Sequence, residues 1–196
     1  MTQTDAAFTF GGGAGAWIFR VLLVAAAAFM VYSWFQPWWV TDVAVMEGTD
    51  DLVLHPWGVE VVRQVRVQAD PALYSMPGFF APFVWTYFTV AMLALAASLF
   101  LNVKLTLGPV KLPLAVVLIA FVGLSYMAAC GIAYYIGEMR ATAMDINFIG
   151  DSEYTDPMSN RKMQMESYLK DGYWYALYAG AALFVLSVSR FLFVRK

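Results

Sequence analysis

Any chemistry in this 196-residue chain has to begin from a short supply of reactive side chains: one histidine, His55, and one cysteine, Cys130. That count excludes a haem held by two histidines of this chain. A lone thiol closes no intrachain disulfide and builds no thiolate metal site by itself. Cys130 also lies inside a long apolar run, where cysteine behaves as a small hydrophobe. His55 precedes Pro56-Trp57-Gly58, a composition that suits a loop or a strand end. A Ser-His-Asp site would have to use it, and no serine nearby suggests one.

Softer donors are more plentiful. Met139, Met144, Met158, Met163 and Met165 fall within 35 residues of one another, the last two as Met-Gln-Met. Thioethers suit Cu(I), so Met163 and Met165 with His55 are the candidate ligands of an extracytoplasmic copper-handling site. The alternative is that these methionines fill irregular apolar gaps. Acidic residues form two groups, Asp42, Glu47, Asp50 and Asp51, then Asp145, Asp151, Glu153 and Asp156. Their spacing fits no calcium loop, and a solvated acidic face is the expectation. The chain contains no phosphate-cradling glycine loop with its lysine, no Gly-x-Ser-x-Gly elbow and no His-Glu-x-x-His helix. It is therefore expected to be no enzyme by itself and to need no cofactor.

The elements that would position these residues follow from hydropathy. Hydrophobic residues make up 61% of the chain and charged residues 13%, against roughly 45–50% and 25% in soluble domains. The excess gathers into four runs, residues 17–36, 79–101, 112–136 and 173–194. Each reaches the roughly 20 residues that a helix needs to span hydrocarbon. The first is longer than the apolar core of a signal peptide and is read as a retained span. No Asp, Glu, Lys or His sits at mid-span, which argues against an ion-coupled carrier or pump. Arg190, about one turn from the end of its span, is placed to snorkel to the interface.

Basic residues beside the spans set the expected orientation. With both termini cytoplasmic, the inner side holds Arg20, Lys104, Lys111, Arg190, Arg195 and Lys196 against the single acid Asp5. The outer side holds six basic residues against thirteen acids. Residues 102–111, with Gly108-Pro109, form a tight cytoplasmic turn. Residues 37–78 and 137–172 are then the two outer loops, and the plasma membrane is the expected location.

In the first outer loop, Val59-Glu60-Val61 and Val65-Arg66-Val67 alternate as strands do, and residues 39–46 could pair with them in a small antiparallel sheet. Trp34, Trp38, Trp39 and Trp57 are expected at headgroup level, as interfacial anchors or as a ligand-stacking cage. The second loop is expected to be helical at both ends. Glu138-Met139-Arg140 would continue span three, Asp156-Pro157 would cap a helix over 157–170, and 147–155 would be an irregular tip. Small residues in the third and fourth runs, with Ala129, Ala133, Ala176 and Gly180 as the packing candidates, would let helices approach closely.

Four spans with both ends inside, a β-rich first loop carrying Pro37-Trp38-Trp39 and Pro56-Trp57-Gly58, and a smaller second loop resemble the claudin and peripheral-myelin-protein architecture. That family has a Trp early in its first loop, matched by Trp38 or Trp39, and a Gly-Leu-Trp motif, matched loosely by Trp57. Its pair of disulfide-forming cysteines is missing here. The resemblance implies a similar shape; paracellular sealing or pore formation is not implied.

The fold class expected is an all-α membrane protein, one domain over 1–196, with four transmembrane helices and a small extracytoplasmic β-rich loop domain. The expected function is a noncatalytic accessory subunit of a larger integral-membrane complex, shielding partners that carry the cofactors. Trp38, Trp39, Trp57, Met158, Met163 and Tyr168 are the candidate partner contacts, aromatic and Met side chains being enriched in interface cores. The alternatives are a claudin-like self-assembling adhesion protein and the copper-handling protein. Membrane lipids and unlike membrane subunits are the expected partners, a homo-oligomer is the alternative, and nucleic acid is not expected.

Overall fold

The structure, a computed structural model, describes residues 13–43, 52–62, 75–101, 103–107, 110–155, 160 and 162–193. The apolar runs form helices α1 (Ala14–Phe35), α2 (Phe80–Ser98), α3 (Leu114–Ala143) and α4 (Asp171–Phe193). All four are long and apolar enough to cross a membrane, α4 over Asp171–Arg190. α3 is the outlier: its 30 residues measure roughly 45 Å, half as long again as a bilayer's hydrocarbon of about 30 Å.

The remaining strands are β1 (Trp39–Val43), β2 (Leu52–His55), β3 (Gly58–Val61), β4 (Lys104–Leu107), β5 (Val110–Pro113), β6 (Gly150–Thr155) and β7 (Lys162–Leu169). The chain divides into two compact units: Met1–Val31 with Tyr87–Ala128 and Leu177–Lys196, and Tyr32–Thr86 with Ala129–Ala176.

In the first unit, Phe19, Leu23, Ala26 and Met30 recur at three- and four-residue spacing on α1 and are buried. Phe88, Ala91 and Leu95 do the same on α2, and Ile119, Val122 and Tyr126 on α3. Residues three or four apart share a helix face, so these runs make the seams of the bundle. The opposite faces expose Val21, Val24, Val90, Leu93, Phe121 and Val185, an apolar surface suited to lipid. α3 and α4 approach closely at a pair of glycines. A Cβ on Gly123 would lie 2.7 Å from the Gly180 carbonyl oxygen, and one on Gly180 2.9 Å from that of Gly123. The Tyr87 and Ser125 hydroxyls, 3.0 Å apart, join α2 to α3. β4 and β5 form an antiparallel hairpin. Leu112 and Pro113, expected to open the third span, belong to β5 instead, and Gly108-Pro109 lies outside the described residues.

The second unit contains a five-stranded antiparallel sheet in the order β3-β2-β1-β7-β6. Strand β1 is central: Trp39 pairs with Leu54 on one side and Leu169 on the other. The sheet therefore draws strands from the first and third of the segments between helices.

Two local expectations are overturned. Residues 162–169, expected within a helix, form strand β7, and 150–155, expected as an irregular tip, form β6. The reason lies in the period: Met163, Met165, Ser167 and Leu169 alternate with Gln164, Glu166 and Tyr168, a two-residue repeat that sorts onto the faces of a strand and is scrambled on a helix. β1 also needs a second neighbour to satisfy its outer row of backbone groups. In the first segment, β2 supplies the pairing that was expected of 59–61 directly, while Val65-Arg66-Val67 lies outside the described residues. Glu138-Met139-Arg140 does continue α3.

Candidate functional site: two faces of the five-stranded sheet

The pleat sends alternate residues of each strand to opposite faces. One face gathers Trp39, Thr41, Leu52, Leu54, Val59, Val61, Met165, Ser167 and Leu169, as the strand register dictates. Leu52 and Met165 form its fully buried centre, with Trp39, Val59, Val61 and Ile146 against them. The last turns of α3 face this surface through Gly137, Arg140, Ala141 and Met144. The last turns of this long helix thus cover the apolar face of the sheet.

Specific contacts hold that cover in place. Trp39 stacks on Phe148, with centroids 5.4 Å apart and planes 11° apart, and its Nε1 donates to the Phe148 carbonyl at 2.6 Å. A Cβ on Gly137 would collide with the Phe148 ring, so the helix can lie against it only with glycine there. Arg140 donates from Nη2 to the Ser75 carbonyl at 3.0 Å and meets the Met76 sulfur at 3.1 Å. The two buried hydroxyls of the face satisfy each other: Ser167 donates to Thr41 at 2.8 Å, and Thr41 to the Glu166 carbonyl at 3.2 Å. A cavity of about 60 Å³ remains between sheet and helix, far below the roughly 300–1,000 Å³ of small-molecule sites.

The other face carries buried Val40 and Val53 and, beside them, a group of acids. Asp42 lies directly across from Glu166, and Glu166 directly across from Asp151, so three carboxylates stand in a row over three strands. Glu153 on β6 and Glu60 on β3 share this face. Glu60, Asp151, Glu153 and Glu166 are exposed, while Asp42 is half-buried with Oδ1 shut from solvent and without a hydrogen-bond partner. Lys162 answers Glu153 alone, at 2.9 Å, and the hydrogen bond raises the lysine pKa. Like charges directly opposite one another in a sheet are destabilising. Strand spacing of about 4.8 Å spreads the row out along a line. Among the described residues no three His, Cys, Asp or Glu side chains converge to hold a metal ion.

Aromatic residues fix the hairpin of β2 and β3. The Trp57 ring lies 5.4 Å from Trp85, 5.7 Å from Phe35 and 6.3 Å from Trp34, and His55 stacks on it at 4.7 Å and 8°. Trp34 and Trp85 close the set edge-on at 5.9 Å. These offset and tilted pairs are rings packed on one another; a ligand-stacking cage needs rings facing a gap.

Compared with known proteins, the chain matches no protein-family model and no curated protein. No such match supports a relationship to the claudins, and the likeness stands on arrangement alone.

The residues singled out from sequence are thus distributed as follows. Trp38 is 3% exposed, its Nε1 donating to the Ser33 carbonyl and its ring edge-on to Tyr173. Trp39 is half-buried against Phe148, and Trp57 half-buried in its cluster. Tyr168 is exposed on the acidic face, beside Lys170. Met158 lies outside the described residues. Met163 and Met165 are two apart on β7; the Met165 side chain is on the apolar face, whereas His55 belongs to the other face with β1 between the strands. The structure therefore does not bring Met165 and His55 together. Ala129 and Ala133 are half-buried on α3 beside the buried Cys130, Ala176 is fully buried on α4, and Gly180 is at the glycine crossing. Two features escaped sequence reasoning. Gly123 sits among large residues and shows no small-residue pattern, and the carboxylate row joins positions 42, 151 and 166, which only strand pairing makes neighbours.

Proposed function

We propose that this protein is a noncatalytic accessory subunit of a larger integral-membrane complex, whose acidic sheet face docks a Lys- and Arg-bearing surface of an unlike subunit. In this reading it sits in the plasma membrane with both termini cytoplasmic and the sheet outside. The observation that carries the reading is the row Asp42–Glu166–Asp151. Aligned like charges cost stability within the chain, and a cationic partner converts that cost into complementarity, which steers encounter and rejects wrong partners. Among the described residues Lys162 pairs with Glu153 and His55 lies 3.6 Å from Glu60, while no ion pair reaches Asp42, Asp151 or Glu166.

The same charge weighs against the alternatives. A second copy docked face to face would meet its own negative row, so self-assembly through this face is opposed. Asp151 and Glu153 on the edge strand β6 also discourage edge-to-edge pairing of copies, as charged edges do. Nucleic acid would be repelled. Copper handling loses its joint ligand set, since Met165 and His55 lie on opposite faces.

The test is mild-detergent extraction from native membranes through a C-terminal tag, with the copurifying subunits identified and quantified. Unlike membrane subunits are expected in fixed ratio, and their recovery is expected to fall for Asp42→Asn/Asp151→Asn/Glu166→Gln. Recovery should also fall as salt is raised from about 0.1 to 1 M, which shortens the Debye length from about 10 to 3 Å. Full recovery with the triple variant, or a bare homo-oligomer from wild type, overturns the proposal.

A further inference from the structure

Within the first unit, two arginines occupy apolar helices near their chain-terminal ends: Arg20 in the second turn of α1 and Arg190 in the last turn of α4. Both are half-buried. Arg190 lies over the Phe19 ring at 5.5 Å, which places it beside the residue next to Arg20. The like charge of Arg20 acts directly on Arg190. Arg20 in turn covers the Trp17 ring at 5.5 Å. Arg190 Nη1 is shut from solvent and has no hydrogen-bond partner.

An arginine that merely snorkels keeps its donors in water. Here Arg190 packs beside Arg20's chain neighbour and within reach of its like charge, half-buried and with one buried N–H unspent. Such an arrangement is costly until an anion with several acceptor oxygens joins it. A tetrahedral phosphate matches the planar guanidinium fork better than a point charge would. The surroundings specify where that phosphate comes from. Trp17, Ile18 and Val21 on α1 and Val188 on α4 are all more than half exposed, so apolar surface flanks the arginines on both helices. Acyl chains can lie along that surface while the headgroup meets the cations, and basic pockets between membrane helices are known headgroup sites in general.

We propose that Arg20 and Arg190 form a headgroup site for an anionic phospholipid, with the phosphate between the two guanidinium groups. The site requires the helices to lie in a bilayer and is independent of the subunit role proposed above. It accounts for the Arg190 N–H that is shut from solvent without a hydrogen-bond partner.

The test uses the full chain in detergent, stripped of endogenous lipid, with binding followed by native mass spectrometry and thermal melting. The probes are phosphatidylglycerol, phosphatidylcholine and inorganic phosphate. Wild type should bind phosphatidylglycerol at least tenfold more tightly than phosphatidylcholine, with a rise in melting temperature, and millimolar inorganic phosphate should not displace it. Arg20→Gln and Arg190→Gln should each weaken phosphatidylglycerol about tenfold, a loss of roughly 1.4 kcal/mol. Arg190→Lys, which keeps the charge and loses the fork, should fall between. Lys162→Gln, on the sheet, should leave binding unchanged. No preference of wild type for phosphatidylglycerol overturns the site whatever the variants do. Unchanged binding by the folded Arg20→Gln/Arg190→Gln chain overturns the residues. Displacement of the lipid by inorganic phosphate overturns the lipid as the ligand.

Discussion

The two faces of the five-stranded sheet are built from alternate residues of the same strands, yet one is closed by α3 and the other carries a line of negative charge. Met165 and Glu166 are chain neighbours; the first is 1% exposed in the apolar centre, and the second stands in the carboxylate row. The face under α3 is apolar at its centre, whereas the other combines buried Val40 and Val53 with a row of like charges. A face that sets like charges side by side, with no three metal-ligating side chains converging among the described residues, is the natural place to look for a partner. The comparison makes opposite predictions for substitutions one residue apart.

The largest effect is expected from Met165→Asp, which buries a carboxylate with no partner. Loss of the folded sheet, read as protease cleavage within 150–169, is the expected outcome, and a native melting profile would break the distinction between faces. Leu52→Ala, which only hollows the same centre, should cost about 2–5 kcal/mol in thermal or denaturant unfolding. A cost below the range of surface substitutions would show that α3 does not close this face.

Ser167→Ala sharpens the comparison at a smaller scale. It removes the donor to Thr41 while Thr41 keeps its bond to the Glu166 carbonyl, so about 0.5–1.5 kcal/mol should be lost. On the opposite face the sign reverses: Asp42→Asn relieves repulsion from Glu166 and should stabilise the isolated chain by about 0.2–1 kcal/mol. Destabilisation by Asp42→Asn would mean that the carboxylate already has a stabilising role inside the chain.

The smallest effect belongs to Lys162. Its folded pKa is raised above 10.5 by the Glu153 hydrogen bond, so any stabilisation is complete below the unfolded value and lost as pH rises through the folded one. Between pH 6 and 9 (roughly four units to one unit below its ordinary value) the pair should contribute no pH dependence. Lys162→Gln should leave the melting curve over that window superimposable on wild type, and a new slope there would contradict the assignment.

Much of the architecture was legible because hydropathy is local. Four helices apolar enough to span a membrane, and a small antiparallel sheet, can be read from runs such as 17–36 and from alternation such as Val59-Glu60-Val61. The second loop was misread because an Asp-Pro pair and several helix-compatible residues outweighed the alternation of 162–169. β7 gains its stability from β1, more than a hundred residues away, and a window on the chain cannot contain that partner. The partners of the aromatic residues were illegible for a related reason: Trp38 suits a membrane interface by type, and only the positions of Ser33 and Tyr173 make it a buried ring.

By itself the sequence determined the number and approximate position of the apolar helices, the scarcity of catalytic side chains, and which residues alternate in character, because each follows from composition within one stretch of chain. Tertiary structure alone decided that α3 closes one sheet face, that Gly123 meets Gly180, and that Asp42, Glu166 and Asp151 stand side by side. These are pairings between distant segments. Their energies come from packing and charge in three dimensions, and no residue signals its eventual neighbour by type.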